Sequence, residues 1–349
     1  MKFRLFLISI LLACNTAQAQ DDGLISLLGD DVPSSVKQQD KDKEEEGLFS
    51  FLNFKMPDVF SSKSDVPPIE QIIKMADEGN IDAQLMLGYS YLYGENGLSA
   101  DPDKSFEYYS KAALQNSAIG LNNLGSLYYS GIGVKRNSAK ASVLFAKSAE
   151  LGNPDAALNL GFMLISGNGA PIDKAKALDY FEQASTTNPA AKFMTGYAYH
   201  TGILRTRNNI KAAPMIKAAA DAGFDEAQLV LASIYINGLG FPQNYNNAVR
   251  YLKMAVSQGS VDAMMQLAQI LSIGDKYNRD IEQAHTLYNL AAVRGSQLAS
   301  QKRQELESRM KINDILQAQV AAENYVEKQS ELTKYIRQTY GANVRGFFN

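Results

Sequence analysis

Leu124-Gly125-Ser126-Leu127-Tyr128-Tyr129-Ser130-Gly131-Ile132-Gly133-Val134 decides how this 349-residue chain folds, because its skeleton recurs. The same L-G-x-x-Y/L-x-x-G form runs from Leu87-Gly88 to Gly94, Leu160-Gly161 to Gly167, and Thr195-Gly196 to Gly202. It continues from Leu231-Ala232 to Gly238 and from Leu267-Ala268 to Gly274. The first glycine, or the alanine in its place, returns at intervals of 37, 36, 35, 36 and 36 residues. Ala112, Ser148, Ala184, Ala219, Ala255 and Ala291 form a second ladder in the same phase. Gly79 and Gly295 bracket the array 216 residues apart, six times 36. A fixed period of this length marks a repeat architecture.

Within one unit, Ala83, Leu87 and Tyr91 recur at fourfold spacing and share a helical face. Gly88 lies among them, where its small size admits a neighbouring helix and offsets a propensity cost of about 1 kcal/mol. Gly94 ends the helix as a residue free to take positive φ. Phe106, Tyr109, Ala112 and Ala113 mark a second helix, whose small terminal residues admit the first helix of the next unit. No unit buries its apolar face alone, so neighbours must stack. The expected fold is all-α: a right-handed α-solenoid of six stacked helix-turn-helix repeats with helical caps. Residues 69–76, after Pro67-Pro68, are expected to form a lone capping helix, and residues 298–310 another first helix. Residues 312–336 are expected to form one longer closing helix. Unit four should be the least regular: its loop 204–209 lacks Gly-x-Gly, and Pro214 is expected in the opening turn of its second helix.

These residues resemble the Sel-one-like repeat, a relative of the tetratricopeptide repeat. That pattern runs roughly A-x-x-x-L-G-x-x-Y-x-x-G, a loop, then A-x-x-W/Y-x-x-K-A-A-x-x-G. The second unit matches it with Leu124-Gly125, Tyr128, Gly131-Ile132-Gly133-Val134, Ala141, Phe145, Lys147-Ser148-Ala149 and Gly152. Ala232 and Ala268 depart from it. The resemblance covers residues 68–310 and implies a bacterial protein-interaction scaffold in envelope assembly, secretion, signalling or host-cell entry. A second reading is a regulatory subunit of a periplasmic enzyme, such as a peptidoglycan-processing one.

Composition narrows the chemistry. With 34 basic and 37 acidic side chains, the formal net charge of -3 argues against nucleic-acid binding, which needs a dense basic surface. One Cys and two His cannot supply a four-ligand structural zinc site, and one Cys cannot pair within its chain. His200 and His285 come from distant repeats with no nucleophile at motif spacing, so each is expected to be an ordinary surface or packing histidine. Gly131-Ile132-Gly133 and Gly167-Asn168-Gly169 follow helices, whereas a dinucleotide loop follows a strand. The expectation is a non-catalytic protein with no cofactor and no metal.

The N-terminus has its own logic. Lys2 and Arg4 precede an apolar run at residues 5–13 and an Ala17-Gln18-Ala19 site, the layout of a cleavable signal peptide over residues 1–19. The run is too short to span a membrane, which takes about 20 residues. Leu11-Leu12-Ala13-Cys14 gives an alternative, a lipobox that would lipidate Cys14. The protein is therefore expected in the periplasm or secreted, or alternatively as an outer-membrane lipoprotein. Residues 20–67 hold eleven acidic and five basic residues and are expected to be a disordered acidic tether. Inside it, Gly23-Leu24-Ile25-Ser26-Leu27-Leu28-Gly29 matches Gly47-Leu48-Phe49-Ser50-Phe51-Leu52-Asn53. Leu24, Leu27, Leu28, Leu48, Phe49, Phe51 and Leu52 are candidate docking residues; the alternative is a segment that folds back over the first repeat. Residues 311–340 are assigned to the C-terminal cap and 341–349, with Phe347-Phe348, to a tail.

First helices should line the inner face of a curved array. One fourfold step from the core face selects Met86, Tyr89, Tyr93, Asn123, Ser126, Asn159, Phe162, Met194, Tyr197 and Gln266, with Val230, Ser233 and Gln269 in line. Amides that donate and accept, beside aromatic faces, suit a protein or peptide partner. About half of these residues are expected to pack between units instead.

Overall fold

The computed structural model describes residues 67–340. Among these residues there are sixteen helices and no strands. Repeat one pairs α2 (Ile81–Tyr93) with α3 (Pro102–Leu114), and repeat two pairs α4 (Ala118–Ser130) with α5 (Ser138–Glu150). Repeat three holds α6 (Pro154–Ser166) and α7 (Lys174–Ala184), and repeat four α8 (Pro189–Thr201) and α9 (Asn209–Asp221). Repeat five holds α10 (Asp225–Asn237) and α11 (Tyr245–Ser257), and repeat six α12 (Val261–Ile273) and α13 (Ile281–Val293). Helix α1 (Ile69–Asp77) precedes them; α14 (Gln297–Glu307), α15 (Ile312–Glu323) and α16 (Glu331–Tyr340) follow. The chain divides into two compact units between Tyr180 and Phe181.

Polar residues set where the helices begin. Asn80, Ser117, Asn153, Asn188, Ser260 and Ser296 accept backbone N–H groups at the starts of α2, α4, α6, α8, α12 and α14. Each such cap contributes about 1 kcal/mol. Phe224 takes that place before α10 and has no side chain able to cap. Every first helix of the six repeats ends on a left-handed glycine, from Gly94 (φ 69°) to Gly274 (φ 73°).

The two small-residue ladders do what their spacing demands. A Cβ on Gly88 would lie 2.6 Å from the ring of Tyr109, which is fully buried, and Ser105 Oγ donates to Gly88 O at 2.8 Å. The helices of repeat one meet at this glycine. A Cβ on Gly120 would lie 2.9 Å from Ala112 Cβ, so the small end of α3 admits α4. Within the N-terminal unit α1 packs on α2, α3 on α4 and α5 on α6. Within the C-terminal unit α9 packs on α10, α11 on α12 and α13 on α14. Ile72 and Ala76 of α1 sit in one cluster with Met86, Leu87 and Tyr91, so the lone N-terminal helix covers repeat one as expected.

Two expectations are corrected. Pro214 lies inside α9, five residues after its first residue Asn209, rather than in its opening turn. There it removes a helical hydrogen bond that the first turn would not have made. Repeat four is also irregular at Leu204, which takes φ 61° where repeats two, three and five have glycine. The C-terminal stretch is two helices, not one. Helix α15 packs on α13 and stops at Glu323. Residues 324–330 then run non-helically back along repeats six and five to α16.

This return segment is held by polar contacts at successive inter-repeat turns. Arg294 faces the Tyr325 ring at 5.2 Å and pairs with Glu327 at 3.4 Å. Lys328 N donates to Ser257 O at 2.7 Å, and Ser330 N to Gln258 Oε1 at 3.0 Å. Ser330 Oγ donates to Gly223 O at 2.7 Å. Thr333 Oγ1 accepts from Asp225 N at 3.1 Å, and Arg337 pairs with the buried Asp225 carboxylate. Thr333 thus accepts the first N–H of α10, the helix whose cap position holds Phe224.

Candidate protein-interaction face

The predicted inner-face residues separate into two groups. Met86, Asn123, Ser126, Phe162 and Met194 are buried, and so is Val230; they join helices rather than meeting a partner. Tyr89, Tyr93, Asn159, Tyr197, Gln266 and Ser233 are half-buried, and Gln269 is exposed. The division has a geometric cause. Most residues two before each repeat glycine or alanine are buried, Met86 in one cluster with Ile72 and Ala76 of α1, while several residues one after it keep one edge in solvent.

In the N-terminal unit several half-buried amides and phenols are tied by hydrogen bonds to one another or to buried amides. Asn159 Nδ2 donates to Asn122 Oδ1 at 3.2 Å across two repeats, and Asn122 Nδ2 donates to Asn123 Oδ1 at 3.2 Å. Asn168 Nδ2 donates to the Tyr129 hydroxyl at 3.0 Å, with Arg136 facing that ring at 5.7 Å. Tyr89 and Tyr93 lie with ring centroids 4.7 Å apart. Burial and the nearby Glu95 push the Tyr89 phenol up, and burial pushes Tyr93 up further, so both remain neutral donors. Asn122, Tyr129 and Asn168 escaped the sequence reading. Asn122 was within reach of it, as a second amide beside Asn123.

In the C-terminal unit the face opens into a groove. Ser233, Asn237, Gln266, Gln269 and Ile273 line its part between α10 and α12. Between α12 and α14 it widens to about 750 Å³, with Met265, Tyr288, Leu298, Lys302 and Arg309 in its walls. Burial raises the Tyr288 phenol. A line of neutral amides thus ends among charged and apolar side chains, with Glu305 paired to Lys302, a lining suited to an extended polypeptide.

The histidines form no site together. His200 Nδ1 shares a 3.0 Å hydrogen bond with Asn209 Oδ1, and burial lowers its pKa. His285 is fully buried, with Nε2 2.9 Å from Glu307 Oε1. Among the described residues no three His, Cys, Asp or Glu side chains are grouped to hold a metal ion. No helix among them is long and apolar enough to cross a membrane. Cys14, the leader, and the candidate docking residues Leu24, Leu27, Leu28, Leu48, Phe49, Phe51 and Leu52 lie outside the described residues, as does the 341–349 tail.

Paired helices with a glycine or an alanine at each crossing, repeated six times, define a helical-repeat protein. The chain belongs to the Sel1 repeat family, whose profile matches residues 81–117, 118–153, 154–186, 189–224, 225–260 and 261–296. It is similar to c5321, a protective antigen present in uropathogenic Escherichia coli strains that displays an SLR fold. The two share 25% identity and a TM-score of 0.56 over 77% of this chain and 66% of that one. A Sel1 repeat protein from Oxalobacter formigenes is 24% identical with a TM-score of 0.52, over 67% of this chain and 100% of that one. Repeats of this family generally mediate protein–protein interaction and are typically non-catalytic.

Proposed function

We propose that the chain is an exported, non-catalytic scaffold that binds a protein partner through the inner face of its repeats, in envelope assembly, secretion or host interaction. The observation that carries this reading is that amides and hydroxyls stay accessible on first helices within each unit, Asn159 in the N-terminal one and Ser233, Gln266 and Gln269 in the C-terminal one. Preorganised donors and acceptors lower the entropic cost of gripping a flexible segment. The leader-like residues 1–19 support export.

A photo-reactive residue at Gln269 or Asn159, introduced in the source cell, should give a discrete protein adduct. The same residue at Val143, exposed on a second helix, should not. Equal adduct patterns from all three positions would rule out the inner face. Intact mass of the mature protein distinguishes cleavage after Ala19 from lipidation at Cys14.

A further inference from the structure

The turn that receives the C-terminal return segment has a counterpart in repeat one. In repeat five, Gln228 Nε2 donates to Ala220 O at 3.2 Å, and Gln258 Nε2 donates to Gln228 Oε1 at 2.9 Å. Gln258 Oε1 is left to accept Ser330 N, beside Gly223 O. In repeat one, Gln84 Nε2 donates to Ala76 O at 3.0 Å, and Gln115 Nε2 donates to Gln84 Oε1 at 2.8 Å. Gly79 holds the place of Gly223, with φ 93° against 97°. The other repeats carry Leu121, Ala157, Lys192 and Met264 at the first glutamine position and Leu151, Thr186, Ala222 and Arg294 at the second. Both glutamines occur together only where a segment docks and in repeat one. There Gln115 is exposed, and nothing lies within 4 Å of a Cβ built on Gly79.

We propose that the edge formed by Gly79, Gln84 and Gln115 is a docking site for the chain's own Gly47-Leu48-Phe49-Ser50-Phe51-Leu52-Asn53. This segment is held there as Glu327-Lys328-Gln329-Ser330-Glu331-Leu332-Thr333 is held at Gly223, Gln228 and Gln258. In that register Ser50 matches Ser330, Leu52 matches Leu332, and Asn53, a short acceptor, matches Thr333. The differences are complementary. A Cβ on Gly259 would lie 2.3 Å from the Glu327 carboxylate, so the receptor yields space to a large side chain. Repeat one has Asn116 in that place, and the segment has Gly47 opposite it. Leu114, exposed, stands where repeat five has Ser257, and the segment presents Phe49 and Phe51 where the return segment has Gln329 and Glu331. The thirteen residues between Asn53 and Pro67 reach about 43 Å when extended. The nine residues of α1, which separate that entry from Gly79, span about 14 Å.

The test uses the full chain with benzoylphenylalanine in place of Phe51, irradiated as a mixture of isotopically labelled and unlabelled molecules. The expected adduct is intramolecular and maps to residues 76–84 or 113–116. Gly47→Glu, a change in the segment alone, should lower its yield about tenfold, and adding Asn116→Gly should restore it. Asn116 already has φ 58°, a conformation glycine adopts freely, so the restoring variant keeps its turn. Absence of the adduct, an intermolecular adduct, an adduct elsewhere, or a yield that ignores Gly47→Glu would each overturn the proposal.

Discussion

Thr333 Oγ1 and the backbone N–H of Asp225, 108 residues apart in sequence, form a 3.1 Å hydrogen bond at the first residue of α10. The same hydroxyl lies 3.1 Å from Gly223 O and 3.3 Å from Asp225 Oδ1. One side chain thus joins the last helix to the turn between repeats four and five. Thr333→Val keeps the shape and removes the bonds. It should lower stability by about 1 kcal/mol, read from the urea midpoint, and speed exchange of the Asp225 amide. An unchanged exchange rate would place the start of α10 under other control.

Arg337 pairs with Asp225, whose side chain is 1% exposed. Removing the cation leaves a buried carboxylate without its counter-charge. Arg337→Met should therefore cost about 3 kcal/mol. Adding Asp225→Asn should recover much of that loss, because the double variant buries no uncompensated charge. Urea melts of the single and double variants make the comparison, and equal stabilities would contradict it.

Gly88→Ala sets two effects against each other. Helix propensity alone would stabilise α2 by about 1 kcal/mol. The new methyl would meet the Tyr109 ring at 2.6 Å, an overlap that costs about 1–3 kcal/mol. The net sign should be destabilising in the native background and should reverse when Tyr109→Val opens the space. Thermal melts of the four proteins in the cycle decide it.

His200 should make stability fall in mild acid. Burial, the largest cause, lowers its pKa below 6.5; the hydrogen bond with Asn209 opposes this, and Arg207 adds to it. The unfolded chain therefore takes up the proton first. The contribution of His200 is fully present above pH 6.5 and is lost as pH falls through the lower folded-state value. The stability difference between the native protein and His200→Asn should move against the native protein between pH 7.5 and 5.5. A difference independent of pH would show that the imidazole titrates alike in both states.

The repeats were legible because they are local. Each glycine-terminated helix needs only a few turns of chain to be recognised, and the two ladders repeat that local signal six times at about 36 residues. The return segment was not, because Thr333 and Asp225 meet across 108 residues with no periodicity to connect them. One trace of it stood in the sequence: Phe224 occupies a position that holds Asn or Ser at the starts of the other five first helices. A helix start without its own cap needs an acceptor from elsewhere.

The inner face was legible in part for a related reason. Helical spacing gives an angle around the axis, and Met86 and Tyr89 both satisfy it. It does not say which of the two a neighbouring helix covers: Met86 is buried in a cluster with Ile72 and Ala76 of α1, and Tyr89 stays half-buried. Pro214 lies beyond the first turn because α9 already begins at Asn209. Asn208 accepts Lys211 N and caps the helix there.

Linear arrays ordinarily fray from their ends, each module leaning only on the one before it. Ser330 and Thr333 at Gly223, with Lys328 at Ser257, change that arithmetic for the C-terminal unit. The chain there closes a loop on itself, so its last module cannot peel away while the tie holds. Repeats five and six should open together or not at all. A truncation that removes residues 324–340 would loosen a block of the molecule, although it deletes no repeat.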